Sequence, residues 1–464
     1  MTARPAVWTG VAALVACGAA AWTAWQLLAG NTLLAAVPIA LLIGGVVAGL
    51  ALTRFGVYVL LMLAIRPMID LFKLSGPTAG KAEAEEVSRA LDPSTLLGVL
   101  FLLAAGLWLA ARARRPGGLR VSPLGLALLL VGATALVSGL GAERPSASLL
   151  EALRILTVVV MFVVLEQLVP EHGMARKLLI ACYAALAVVL AYTVVLSLAG
   201  HPPAEVKGSF TRISGPFSQS TTFGRYLMFL VVFGVAIYRY LSGRARLALG
   251  VLLGLSFVFL LLTNTRGAIL GTAIGLVVVA VLQRSGRLFA AMAVTAIAAL
   301  VLMPSVGARF AQLGDERAVG GGPTGNTLEW RLDYWGEILT LAEHNPVTGI
   351  GPNMTQVQTD EAKKPHNDFL RAYVETGVLG LLAYLAMVVL LLHTGVRALR
   401  RAPPGTLDRG IAVGFLAAAV CFVAVSAASN VLSNVATLWY LMVFAAVAGA
   451  AVRDREPAPL QLTH

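Results

Sequence analysis

Residues 247–283 read LALGVLLGLSFVFLLLTNTRGAILGTAIGLVVVAVLQ, and they decide the fold. Two uncharged apolar runs, 247–263 and 268–283, flank a short turn whose one charge is Arg266. A helix of about 20 residues crosses a bilayer, because in hydrocarbon each backbone polar group must be satisfied within the segment. The pair therefore predicts two membrane helices joined by a tight turn that places a guanidinium at the membrane surface. The same pattern extends both ways. Spans are expected at 7–28, 32–51, 55–72, 94–111, 122–141, 149–169, 178–199 and 224–242 before this pair. After it come 288–304, 369–393, 410–429 and 434–452.

Composition agrees. Of 464 residues, 58% are apolar, a further 46 are glycine, and only 12% are charged; the mean hydropathy is +0.83. A soluble domain is about 45–50% apolar with glycine included and about 25% charged. A soluble enzyme, a disordered chain and a disulfide-stapled domain are excluded. Cys17, Cys182 and Cys421 all fall inside apolar runs, with no metal or redox spacing. The first span follows Arg4 as a signal peptide would, but its apolar stretch is too long for that and a second span follows at once. The expected architecture is an all-α polytopic membrane protein of about 14 (12–14) transmembrane helices.

Lys and Arg bias sets the orientation. With the N-terminus inside, cytoplasmic segments hold 19 of the 35 Lys and Arg residues, among them Arg54, Arg112, Arg114, Arg115, Arg176, Arg244, Arg246, Arg400 and Arg401. Both termini are then cytoplasmic, and the net charge of +12 is chiefly a topology signal. No nucleic-acid partner is expected, since the charges are scattered over short loops.

The outward-facing segments hold the unusual features. Residues 73–93 form a charged surface loop, whereas 200–222 (GHPPAEVKGSFTRISGPFSQSTT) are rich in Gly, Ser and Thr and carry Lys207 and Arg212. The loop 305–367 is far longer than a connector requires, which usually signals function. Within it Leu328, Leu332, Trp335, Leu339 and Ala342 recur at helical spacing, predicting an amphipathic helix over 327–343 that lies at the interface or caps the bundle. Trp330 and Tyr334 stand on its other side, where aromatic rings stack on sugars or settle at the bilayer interface.

Of six histidines, His201, His344 and His366 face outward. His366 precedes a helix beginning near Asn367, where the helix dipole favours a neutral, proton-accepting imidazole. A capping or surface histidine fits the position equally. Arg266 and Arg212 share that face, and guanidinium matches phosphate oxygens bidentately; lipid headgroups are the plainer partner. Gly267 permits close approach to the backbone. Arg66, Glu151, Arg154, Glu166, Arg225 and Glu375 lie in or beside spans and are expected to pair internally, since isolated charges there are costly.

RLDYWGEILTLAEHNPVTGIGPNM, followed by HNDFLRAYVETGVLG, resembles the signature region of the O-antigen ligase and O-antigen polymerase superfamily. The matching positions are Arg331, Tyr334 and Trp335, then Pro346, Gly349 and Gly351, then His366, Asn367 and Leu370, and Glu375, Gly377 and Gly380. Thr263-Asn264-Thr265-Arg266-Gly267 resembles the family's arginine turn with Thr for the commoner Ser, and Arg212-x-x-Gly215-Pro-Phe its second arginine loop. The likeness covers about 205–392. It makes 200–393 the catalytic core, between N-terminal helices (1–199) and C-terminal helices with a short tail (394–464).

The resemblance implies a GT-C-like membrane glycosyltransferase of the bacterial inner membrane, its site facing the periplasm. The donor would be a glycan on undecaprenyl diphosphate. The acceptor would be lipid A–core in a ligase, or the growing glycan in an O-antigen or exopolysaccharide polymerase. Transfer would be inverting and metal-independent, with no cofactor. On the same basis Arg212 and Arg266 would hold the diphosphate and His366 would activate the acceptor hydroxyl. Asn367 would orient the histidine, Arg331, Trp330, Tyr334 and Lys207 would contact substrate, and Glu375, Gly267, Gly349 and Gly351 would shape the site. A polysaccharide transporter or lipid flippase is the rival class. It predicts internal repeats and midplane charges, and the chain has no such repeat.

Overall fold

The computed structural model describes residues 18, 21–26, 28–29, 32–72, 93–207, 210–302, 328–343, 345–359 and 363–453. Most of the expected span 7–28, the loop 73–92 and residues 303–327 lie outside that part. The chain divides into two compact units, Met1–Leu61 and Met62–His464. The first contains α1 (Thr32–Thr53) and the start of α2 (Phe55–Ile69).

The second unit completes α2 and continues with α3 (Pro93–Ala113), α4 (Pro123–Leu140), α5 (Pro145–Leu168) and α6 (Met174–Leu198). A short hairpin, β1 (Ala204–Lys207) and β2 (Phe210–Ile213), precedes α7 (Ser220–Tyr238), α8 (Gly243–Leu262), α9 (Arg266–Leu282) and α10 (Gly286–Leu302). Then come α11 (Leu328–Glu343), the single turn α12 (Met354–Gln358), α13 (Asp368–Arg401), α14 (Leu407–Ser426) and α15 (Val435–Arg453). Every expected span from residue 32 onward falls on a helix. Eight of these helices are long and apolar enough to cross a membrane. The protein is a multi-pass, almost wholly helical membrane protein.

Local chemistry sets the boundaries. Ser122 caps α4 by accepting from the Gly125 N–H, with Pro123 at the first helical position. Thr406 caps α14 in the same way, after Pro403-Pro404-Gly405 has ended α13. The bundle is layered by burial. Nearly all of α7 is enclosed, packed by α8, α9, α14 and α15. By contrast, α3 turns Phe101 and Ala105 inward and leaves Leu96, Leu100, Leu103 and Leu107 exposed in a stripe suited to lipid.

Two elements differ from expectation. Residues 204–207 and 210–213, which read as part of a Gly/Ser/Thr-rich loop, pair as two antiparallel strands in which Glu205 stands opposite Arg212. The amphipathic helix is present as α11, but its inner face is not the expected leucine stripe. Tyr334, Ile338 and Ala342 are buried, whereas Leu332 is 56% and Leu339 42% exposed. The reason is polar. The Tyr334 hydroxyl finds two partners inside, so its ring can be buried whole, and that rotates the helix about its axis.

Candidate active site

The site lies at one end of the bundle, where α9 and α13 begin, α14 ends and α15 begins. Arg212 organises the first corner. The residue is 3% exposed. It donates from Nε to the Thr263 carbonyl (3.0 Å) and from Nη2 to the Asn264 carbonyl (3.0 Å) and the Thr265 hydroxyl (3.1 Å). On its far side Nη1 lies 3.9 Å from the Glu205 carboxylate. That carboxylate also accepts from the Ser220 hydroxyl (2.5 Å) and N–H (3.1 Å) at the start of α7. The fork therefore shapes the turn that presents Arg266, with Asn264 in the left-handed region at φ 48°. Arg266 itself, the first residue of α9, is partly exposed.

The second corner is the start of α13. Asn367 caps it, its side-chain oxygen accepting from the N–H groups of Phe369 (3.0 Å) and Leu370 (3.2 Å). His366 stands just before this cap, partly exposed and at φ 56°. A left-handed histidine is sterically costly and persists only where its surroundings impose it. They do. The Tyr334 hydroxyl bonds the Lys363 carbonyl (2.5 Å) and Thr359 Oγ1 (3.0 Å), and Trp335 Nε1 donates to the Pro365 carbonyl (2.7 Å). Asp368, fully buried, accepts through Oδ2 from the N–H groups of Val431 (2.7 Å) and Leu432 (3.1 Å). Tyr334 thus turns into the protein as an anchor for the histidine strand. The side chains of Trp330 and Lys207 lie outside the described part.

Beneath His366 the helix is broken. Gly377 adopts φ 67°, ψ −171°, a conformation essentially confined to glycine, and frees the Val374 and Glu375 carbonyls. The turn 346–351 fills the break. Ile350 N–H donates to Val374 (3.1 Å), Gly351 N–H to Glu375 (2.9 Å), and Val378 N–H to Pro346 (2.9 Å). Ser138 of α4 adds a bond to the Glu375 carbonyl (2.6 Å). A methyl group on Gly349 would strike the Glu375–Thr376 backbone, and one on Gly377 the Val347 carbonyl. The spaced glycines are thus the two halves of one lock, closed over Ile338, Ile350, Met354 and Val374.

The third element is 425–434, the last turn of α14 and the link to α15, on which the corners converge. A methyl group on Gly267 would lie 4.0 Å from Val425 Cγ1, and Arg331 Nη1 donates to the Ala428 carbonyl (3.2 Å). Arg225 of α7 bonds the Asn430 carbonyl (3.0 Å), Asn434 Oδ1 (2.5 Å) and the Ser429 hydroxyl. Partial burial lowers the Arg331 guanidinium pKa from its usual value. The sequence SNVLSN had given no reason to single out this segment; its role comes from backbone N–H and carbonyl groups that carry no residue signature.

The expected internal pairing is seen for Arg66 with Asp70 (2.8 Å) and Glu151 with Arg154 (3.3 Å). Glu375 Oε2 pairs with Arg371 Nε (2.8 Å), and its Oε1 accepts from the Thr355 hydroxyl (2.7 Å). Glu166 accepts from the Ser122 N–H (3.3 Å) far from the site. Arg371 was missed, although it occupies the residue one turn before Glu375 on the same helix face.

Fold and site together define a polytopic helical membrane protein with arginines and a strained histidine gathered at helix ends. Residues 249–385, under a third of the chain, match the family model described as O-Antigen ligase. No curated protein matches the chain. The matched stretch spans Arg266, Arg331, His366 and the Gly349–Gly377 lock. Arg212, Glu151, Arg225 and the 425–434 segment lie outside it.

Proposed function

We propose that this protein transfers a glycan from undecaprenyl diphosphate to a sugar hydroxyl on lipid A–core, at the periplasmic face of the bacterial inner membrane, in the manner of an O-antigen ligase. The observation that carries this reading is the convergence of Arg266, Arg331 and the His366 strand on 425–434. Two arginines and a histidine thus gather at one end of the bundle, and we read them as cationic donors and a proton acceptor for one ligand.

The acceptor oxygen attacks the anomeric carbon from the face opposite the diphosphate, so the configuration inverts. The new glycosidic C–O bond forms as the C–O bond to the diphosphate breaks. The acceptor's proton passes to His366, and the electron pair leaves on undecaprenyl diphosphate. Arg266 and Arg331 stabilise the charge that grows there, the part a divalent cation plays in other transferases. Arg212 acts through the 263–265 turn, and Asn367 holds His366 through the helix cap. Tyr334 and Trp335 fix the strand rather than stack on sugar.

The test is transfer in reconstituted vesicles from an undecaprenyl-diphosphate glycan, with lipid A–core or free glycan as acceptor. Transfer to lipid A–core that is abolished by His366→Ala and Arg266→Ala supports the reading. Transfer to free glycan alone makes the protein a polymerase, and undiminished transfer by properly inserted His366→Ala overturns the mechanism.

A further inference from the structure

We propose that Glu151, on α5, is a positioning residue for His366, acting through Lys364. The inference rests on the functional reading above and extends its machinery to a helix well outside the family match.

Glu151 is 4% exposed, yet its carboxylate meets three cations from two parts of the chain. Oε1 accepts from Arg371 Nη2 (3.0 Å) and Lys364 Nζ (3.4 Å), and Oε2 from Arg154 Nη1 (3.3 Å). Arg154 is in turn held by the Thr95 hydroxyl of α3 (2.9 and 3.2 Å). Ser433 closes the figure from the opposite side, its hydroxyl within 3.0 Å of Lys364 Nζ and 2.6 Å of Arg371 Nη1. One carboxylate and one hydroxyl thus bridge the same two cations, one two residues before His366 and the other five residues after it.

The charges explain why the carboxylate cannot be spared. Glu151 and Glu375 face Arg154, Arg371 and Lys364. Without Glu151, Glu375 alone would face three cations in a poorly solvated space, and the one free to move is Lys364. Its side chain is 25% exposed and its backbone lies outside any helix, in the segment that precedes α13. Burial lowers the pKa of this ammonium, and the Glu151 carboxylate opposes that shift by favouring the charged form. Backbone bonds to Lys363 and Pro365 and the cap at Asn367 fix the strand along its length. Lys364 ties it to Glu151 on α5.

The experiment measures transfer kinetics of the full-length protein in vesicles for Glu151→Gln, Lys364→Gln, the double variant, and Glu166→Gln as a buried-carboxylate control remote from the site. A misplacement of order 1 Å costs about a hundredfold in rate. Glu151→Gln and Lys364→Gln are expected to lower kcat by roughly tenfold to a hundredfold, with KM for the donor within about twofold. The double variant should be no slower than Glu151→Gln alone, because both act through one tether. Glu166→Gln should keep its kcat. If Glu151→Gln does not insert, Lys364→Gln decides. Wild-type kcat in Lys364→Gln, additive losses in the double variant, or a loss confined to KM overturns the proposal. His366→Ala separates the two levels. If it abolishes transfer while the Glu151 and Lys364 variants work normally, only this inference falls. If it transfers normally, the reading of the site falls with it.

Discussion

Replacing Arg212 with lysine separates a residue that grips substrate from one that builds the site. The guanidinium reaches three acceptors spread over Thr263, Asn264 and Thr265, at 3.0, 3.0 and 3.1 Å. An ammonium on a shorter reach can satisfy one of them. Hydrogen bonds from a charged donor contribute about 1.5–3 kcal/mol each, so losing two costs about 3–6 kcal/mol by the same rule. The two acceptors left behind are buried oxygens, which makes the turn itself the cheapest thing to move. Arg266 opens the helix that follows, so a shift of about 1 Å is expected to slow transfer about a hundredfold. The assay is steady-state transfer by Arg212→Lys protein in vesicles, with kcat and donor KM resolved, alongside thermal unfolding in detergent. The expected result is a lowered melting temperature and a fall in kcat. Wild-type stability together with a loss confined to donor KM would mean instead that Arg212 touches the diphosphate directly.

Gly377→Ala forces a side chain into a glycine-only conformation, at about 1–3 kcal/mol, and drives its methyl into the Val347 carbonyl; melting temperature and transfer should both fall sharply, and an unaltered melting curve would refute the lock. Tyr334→Phe keeps the ring packed but removes the bonds to Thr359 and Lys363, at about 1 kcal/mol each, so transfer should drop while the protein still inserts, and wild-type kcat would show that the anchor is dispensable. Burial places the Lys364 pKa below its ordinary 10.5. Its ammonium form, and with it the Glu151 tether, is therefore lost at lower pH than for an exposed lysine, and the rate should decline on the alkaline side. Lys364→Arg should shift that decline upward, and an alkaline limb identical in both proteins would count against the tether.

The spans were legible because hydrocarbon demands long uncharged runs, and Arg, Gly and Pro mark where they stop. The pairing of charges was legible only as a requirement. Glu151 and Arg371 are 220 positions apart, and nothing in single-chain periodicity brings α5 to the start of α13. The amphipathic helix shows a subtler limit. Counting leucines favoured Leu332 and Leu339, but a tyrosine with two interior partners outweighs them, and those partners, Thr359 and the Lys363 carbonyl, are invisible in a hydropathy pattern. The glycines at 349, 351, 377 and 380 were recognisable as a motif, whereas their physical purpose, a turn threaded into a broken helix, needed the backbone. Arg212 was legible as a guanidinium, but the backbone carbonyls and the hydroxyl it holds were not, because they lie some fifty positions away.

The central claim is that the end of the bundle carrying Arg266, Arg331 and His366 moves a glycan off a lipid diphosphate. It is tested most directly by supplying the purified protein in vesicles with an undecaprenyl-diphosphate glycan and lipid A–core, and following glycan on the acceptor. The wild-type protein is expected to transfer glycan and an inserted His366→Ala variant to transfer none. Equal transfer by both, or transfer by neither with any sugar acceptor, would contradict it.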